Sequence, residues 1–420
     1  MQVKRFLIVF VAIIVSATLL VVLFTQVFSV KNGESEPVYV GVAFQGSTAD
    51  EAKLLIDRIK NYTNLFLIGM SPVSRNETAT NEVADYAIAN GMNLMVDFGY
   101  YDPHPYFANE SYRTWQWQLP WLNAAKQKRG NRFLGVYLND EPGGIQMDYY
   151  WTGLFNDYTS YFNLPGDNTL KQIYRKVHEA ESTGAPPSDY DLETYYFVHD
   201  VLQGSPGHKL LRDVGISMFT SDYVLYWFDY LGEYDVMLTQ LGWNHSTVQD
   251  IALVKGAARL QDKSWGSIIT WKYDKLPYLD SGEEIYNQMV QSYEAGARYI
   301  MIFNYPSLDG NNYGVMQDEH FTALERFWND VVKPDDGQPR EYGQTDVAFV
   351  LPKNYGWGMR NPNDKIWGFW GPDDKSAQIW DNSRKLLSEY GLRLDIVYDD
   401  PSLPLGGKYN KIYYWNYTIA

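Results

Sequence analysis

The sequence predicts an α/β protein built on a closed (β/α)8 barrel of the TIM type, with an N-terminal transmembrane helix before it and a small C-terminal α/β domain after it. Three observations lead there. Short apolar runs alternate with longer amphipathic stretches from Pro37 onward, the rhythm of repeated βα units on a parallel sheet. Eight such runs fall within about 300 residues, which suits a closed barrel better than an open sheet. The chain has 420 residues, and the roughly 390 that follow its first apolar segment leave room for a barrel with an appendage and a large core.

The first element is the run Phe6 to Val30, which carries no charged residue. As a helix it reaches about 37 Å, enough to cross a hydrocarbon core of about 30 Å with some tilt. A cleaved signal peptide has a shorter apolar stretch and a small-x-small cleavage site, so residues 1–30 read as an uncleaved signal anchor in contact with the lipid bilayer through residues 6–30. Lys4 and Arg5 precede the span, and the positive-inside rule then keeps the N-terminus cytoplasmic and sends the bulk of this single-pass chain to the cell surface. Asn-x-Ser/Thr acceptor sites at Asn61, Asn76, Asn109, Asn244 and Asn416 agree with export.

The barrel domain is expected over residues 31–332. Val38 to Phe44, Leu65 to Met70, Asn93 to Phe98 and Phe133 to Leu138 read as strands one to four, with helices at Thr48 to Tyr62, Thr78 to Asn90 and Tyr112 to Lys128 between them. A long insertion follows, helical at Leu170 to Glu181 and Leu192 to Leu202. Gly215 to Thr220, Asp235 to Leu241, Ser267 to Trp271 and Tyr299 to Phe303 complete the eight strands. Residues 333–345 lie within a Pro-, Gly- and charge-rich linker. The small domain at 346–420 then offers strands at Asp346 to Leu351, Arg393 to Val397 and Lys411 to Trp415, and a helix at Ser376 to Tyr390.

Composition narrows the chemistry. A net charge of −16 argues against nucleic acid as a partner. With no cysteine, a thiol nucleophile, a disulfide framework and a cysteine-ligated metal are excluded. The six histidines show no metal-ligand spacing, and no Gly-rich phosphate loop or Gly-x-Ser-x-Gly elbow occurs, so neither a metal nor a cofactor is implied. Thirty-five Tyr and 14 Trp are unusual. Exposed aromatic rings in a cleft make platforms for the C–H faces of sugars.

Barrel active sites lie at the C-terminal ends of the strands. The polar and aromatic residues expected there are Gln45, Asp97, Tyr100, Asp140, Glu141, Asp222, Gln240, Trp243, Trp271, Tyr273, Asp274, Asn304 and Tyr305. Glycoside hydrolysis needs a carboxylic acid to protonate the leaving oxygen and usually a second carboxylate. Glu141 is the candidate acid/base, with Asp140, Asp222 and Asp274 as candidate second carboxylates; Asp97, Tyr100, Gln240, Trp243, Trp271, Tyr273, Asn304 and Tyr305 are candidate sugar contacts. Simpler readings compete. Asp97 can equally serve to hold a loop, Pro142-Gly143-Gly144 is a turn signal, and Glu284 three residues after Ser281 is a capping box.

The segment Asn139-Asp-Glu-Pro-Gly-Gly144 resembles the fourth-strand Asn-Glu-Pro signature of clan A glycoside hydrolases, with an Asp inserted before the Glu. That resemblance implies Glu141 as acid/base. The Asp-Glu pair also resembles the fourth-strand pair of barrel hexosaminidases, which implies Asp140 orienting a substrate acetamido group that itself acts as nucleophile. Strand seven runs into Ile269-Thr-Trp-Lys-Tyr-Asp274, where a clan A enzyme would carry a Glu nucleophile. The C-terminal part resembles the amidotransferase-like domain of thermophile-type β-galactosidases, implying packing or assembly without glutaminase chemistry. The expected function is therefore a membrane-anchored, extracytoplasmic glycoside hydrolase. The alternative is a non-catalytic barrel that binds carbohydrate as a cell-envelope receptor.

Overall fold

In the computed structural model, residues 37–101, 115–183, 187, 189–305, 308–335, 337 and 345–419 are described. The expected membrane span and the Asn109 acceptor site lie outside them, as does most of the linker. Among the described residues no helix is long and apolar enough to cross a membrane.

Residues from Val38 onward form one compact unit. Its centre is a closed barrel of eight parallel strands in sequence order: β1 Tyr39–Phe44, β2 Leu65–Ile68, β3 Asn93–Val96, β4 Phe133–Tyr137, β5 Met218–Asp222, β6 Val236–Leu241, β7 Ser264–Ile269 and β8 Tyr299–Asn304. Closure is made by β1 and β8, paired from Tyr39↔Tyr299 to Phe44↔Asn304. The barrel strands are buried on both faces, so most read as largely apolar runs, with polar residues such as Thr220 to Asp222 of β5 and Thr239 and Gln240 of β6 near their C-terminal ends. Alternate residues separate the two faces. Tyr39 and Ala43 of β1 fill the barrel interior beside Leu67, Met95, Tyr137, Phe219 and Met301, whereas Val40, Val42 and Phe44 point outward into the strand–helix layer. Strand β7 begins three residues earlier than expected and ends at Ile269, which leaves Trp271 on the loop beyond it.

Several βα helices begin with a side-chain cap, at Thr48, Asn76 and Ser281. Thr48 and Glu51 form a capping box at the start of the helix Ala49–Ile59. At Ser281 half of such a box is present: its side chain accepts from the Glu284 N–H, while Glu283 pairs with Arg326 at 2.7 Å. Among the described residues the insertion between β4 and β5 holds helices and no strand, with its own small core of Phe155, Phe162, Ile173 and Tyr174.

Beyond the barrel, β9 Val347–Leu351, β10 Leu394–Tyr398 and β11 Lys411–Tyr414 form a parallel three-stranded sheet in the order β10-β9-β11. The barrel helix Thr247–Gln261 packs on β10 at close range, since a Cβ on Gly256 would lie 2.6 Å from the Ile396 carbonyl oxygen. Lys255, fully buried on that helix, pairs with Asp395 at 3.2 Å, and Arg259 reaches the same carboxylate at 2.9 Å.

Candidate active site

At the C-terminal mouth of the barrel two recesses of about 270 and 180 Å³ share a wall of Tyr137, Asp140, Ile268, Phe303 and Tyr305. The larger adds Gln45, Met70, Asp97 and Tyr100. The smaller adds Glu141, Ser221, Gln240, Trp243, Thr270 and Trp271.

The turn after β4 delivers the two adjacent carboxylates. Asn139 and Glu141 both adopt left-handed backbone, with φ of 53° and 52°. Such a conformation costs of order 1–3 kcal/mol for a residue with a Cβ, and the surroundings must over-determine it. Here they do. The Tyr234 hydroxyl donates to the Leu138 carbonyl at 3.0 Å, the Thr220 hydroxyl donates to that of Asn139, and the Glu141 N–H donates to the Ser221 carbonyl at 3.0 Å. The helix Pro142–Asp148 then starts with Glu141 as its N-cap residue and Pro142 in its first turn.

Asp140 opens on both recesses. Its Oδ1 accepts from the Tyr137 hydroxyl and from the Ser221 hydroxyl, the latter at 3.2 Å. Surrounding protein raises its carboxyl above the usual range, and those two donors partly offset the effect. Glu141 accepts from Gln240 Nε2 at 2.8 Å. Burial first, and then the neighbouring Asp140 charge, push it up to about 6, with the Gln240 bond pulling the other way. Asp97, at the end of β3, accepts from the Gly99 N–H at 2.7 Å; burial and then repulsion by Asp140, against that backbone bond, take it to about 7. The Gln240 Oε1 and Thr270 Oγ1 atoms are buried in the smaller recess without a hydrogen-bond partner.

One side of the cleft is aromatic. The Trp271 and Tyr305 rings lie parallel with centroids 6.0 Å apart, held by a Trp271 Nε1 bond to the Tyr305 carbonyl at 2.7 Å. Trp243 stands 6.0 Å from Trp271 and, like Tyr100 and Tyr305, is exposed.

Of the residues expected at the mouth, Gln45, Asp97, Tyr100, Asp140, Glu141, Gln240, Trp243, Trp271 and Tyr305 line these recesses. Four others lie elsewhere. The Asp222 side chain is fully buried and accepts the N–H groups of Gly143, Gly144, Tyr223 and Val224 at 2.5 to 3.2 Å, turned toward the helix Pro142–Asp148. A Cβ on Gly143 would sit 2.9 Å from that carboxylate, so the approach requires glycine. Asn304 Oδ1 accepts from the Val315 and Met316 N–H groups. Asp274 and Tyr273 are exposed on the loop after β7. Among the lining residues that sequence reading did not single out, Tyr137 and Ser221 sit on the barrel-facing side of β4 and β5, where a tyrosine and a serine look like interior packing, and Thr270 follows β7 directly. Among the described residues no group of three or more His, Asp or Glu side chains gathers as a metal site would require.

No protein-family model matches the sequence, and no curated protein matches it. Among solved structures the chain is similar to the cold-adapted β-galactosidase of Rahnella sp. R3, with a TM-score of 0.57 at 11% identity over 91% of this chain and 67% of that one. It is also similar to the polyextremophilic β-galactosidase of the Antarctic haloarchaeon Halorubrum lacusprofundi, with a TM-score of 0.56 at 11% identity over 90% of this chain and 68% of the other. These matches span more of the chain than the barrel alone supplies, and they establish a shared fold.

Proposed function

We propose that the chain is a glycoside hydrolase acting on glycans, with Glu141 as general acid/base and Asp140 as the assisting carboxylate. The observation that carries this reading is the adjacent pair at the end of β4, both opening on one aromatic-walled cleft, with burial and the Asp140 charge bringing Glu141 to about 6. A carboxyl in that range holds a proton for the leaving oxygen and, once ionised, activates water. The residue after β7 is Thr270, which favours attack by a substrate 2-acetamido oxygen over attack by a strand-seven glutamate. Glu141 gives its proton to the glycosidic oxygen as the C1–O bond breaks, and the acetamido oxygen bonds to C1 to give an oxazolinium ion oriented by Asp140. Water then adds at C1, its proton passes to Glu141, and the acetamido group is restored.

The test is a panel of 4-nitrophenyl glycosides with and without a 2-acetamido group. Glu141→Gln should lower kcat by about 10²–10⁴-fold while a non-hydrolysed sugar still binds with unchanged affinity in calorimetry. The wild-type kcat/KM should fall as pH rises through about 6, because the acid must be protonated. A wild-type chain that binds sugars and cleaves none would replace the enzyme with a carbohydrate receptor.

We further propose that residues 6–30 anchor the chain in a lipid bilayer with its bulk extracytoplasmic, on the strength of the uncharged run and the Lys4-Arg5 pair before it. Release of the full-length chain from membranes by alkaline carbonate would count against the anchor. The β9–β11 sheet is assigned a packing role, supported by its buried contacts with the helix Thr247–Gln261.

A further inference from the structure

The helix that Glu141 caps is only seven residues long. A helix of that length is marginal by itself, and its position is set by what it packs against. Much of that packing comes from the segment between β9 and the helix Asp374–Tyr390. Gln146 Nε2 donates to the Trp367 carbonyl at 2.8 Å, and Lys365 Nζ approaches the Met147 carbonyl at 3.4 Å. At the helix's far end Arg360 grips Asp148 with two bonds of 2.7 and 2.9 Å. The same guanidinium grips Asp364, through Nε at 2.9 Å and Nη2 at 2.8 Å. Tyr223 completes the cluster by donating to Asp148 Oδ2 at 2.7 Å.

We propose that Arg360, from the segment beyond the barrel, is a positioning residue for Glu141: by clamping Asp148 it fixes the far end of the helix that Glu141 caps and offsets the negative charge that Asp148 directs at Glu141. The inference rests on Glu141 being the acid of the cleft. It places a positioning residue for the cleft outside the barrel, on a segment that lines neither recess.

Geometry and charge agree on this. Seven helical residues span about 10 Å, a distance at which one unit charge shifts another's titration by about 0.3 pH unit in water and about 1 pH unit at an effective dielectric of about 20. The acidic groups that face Glu141 are Asp140 on its own turn, Asp148 on its helix and Asp222 on β5, with the Tyr100 and Tyr223 hydroxyls. Arg360 is the cation bound to one of them, and His245 on the β6 loop lies near the same Arg360–Asp148–Asp364 cluster. Burial works against ionisation of Asp148, and the bonds from Arg360 and Tyr223 more than reverse it, keeping Asp148 below the usual carboxylate range. Without Arg360 the Asp148 and Asp364 carboxylates would lose the cation bound to both, with Lys365 the other cation acting on Asp148; without the Asp148 charge, Arg360 and Asp364 balance. Lysine cannot replace the fork, because a point charge cannot make paired bonds to two carboxylates at once.

The test needs no substrate. The Glu141 side-chain carboxyl is followed by ¹³C NMR during a pH titration of the full-length chain, its resonance assigned by its loss in Glu141→Gln. Asp148→Asn should lower the titration midpoint and Arg360→Met should raise it, each by between about 0.3 and about 1 pH unit, with Arg360→Lys in between. A general loss of stability would not move the two in opposite directions. Midpoints that stay put, or that shift the same way in both variants, overturn the proposal. If Arg360→Met does not fold, Asp148→Asn decides alone: an unmoved midpoint is sufficient to reject it. Because the readout is a titration, a chain that cleaves no glycoside still answers the question, and the two readings fail separately.

Discussion

Asp97 and Asp140 set two carboxyl groups against one recess, and the consequence for stability has a definite sign. Burial and then Asp140 hold Asp97 at about 7 in the folded chain, against about 3.9 in an unfolded one. A carboxyl raised on folding contributes stability that is fully present below its unfolded value and is lost as pH rises through its folded value. Between about pH 4 and pH 7 the unfolded chain therefore releases a proton that the native state keeps, and stability falls as pH rises across that interval. Asp97→Asn, which still offers an oxygen to the Gly99 N–H, removes that loss. Urea unfolding at pH 5 and pH 8 should show the variant gaining on wild type by about 2–4 kcal/mol across the interval; a difference that does not change with pH would mean Asp97 is ionised in the fold without penalty.

The helix Pro142–Asp148 shows how an element carries a side chain to its place. Its first N–H groups have no partners within the helix, and the Asp222 carboxylate takes two of them from the neighbouring strand end. Asp222→Ala should therefore cost about 2–4 kcal/mol in denaturant unfolding, and in the proposed enzyme should lower kcat more than it raises KM, because the N-cap residue of that helix is Glu141. A variant of unchanged stability would show that the helix start is held elsewhere. This element also marks where sequence reading stops. All eight strands were legible because double burial leaves largely apolar runs, and their ends located Asp97, Asp140, Glu141, Gln240 and the Trp271–Tyr305 pair at the mouth. Direction was not legible. Asp222 and Asn304 occupy strand ends as expected, yet unpaired backbone N–H groups from other segments capture their side chains. The Arg360–Asp148 clamp joins residues 212 apart in sequence, and no local pattern announces such a pair.

At the scale of the whole molecule, the barrel and the three-stranded sheet are joined by ions as well as by packing. Lys255 and Asp395 are both fully buried, and Lys255 Nζ also donates to the Thr345 hydroxyl at 2.7 Å and to the Leu392 carbonyl at 2.5 Å. A buried pair adds little over a well-packed apolar one, but removing one partner strands the other charge out of water. Asp395→Ala should therefore cost about 3–5 kcal/mol, and the double variant Asp395→Ala/Lys255→Met should recover much of it. Thermal melts of the two variants check this; equal melting temperatures would mean that Arg259 alone governs the Asp395 site.

The left-handed backbone at Glu141 also bears on what the chain could become. Glycine adopts that conformation without a Cβ conflict, so Glu141→Gly should melt higher than wild type, by about 1 kcal/mol in stability, while the cleft loses its acid. Every other residue with a Cβ inherits the same strain and, glutamate apart, returns no carboxyl of that reach. The turn after β4 is thus a place where the most comfortable sequence and the useful one diverge, and the molecule forgoes firmness to keep a functional group in the cleft.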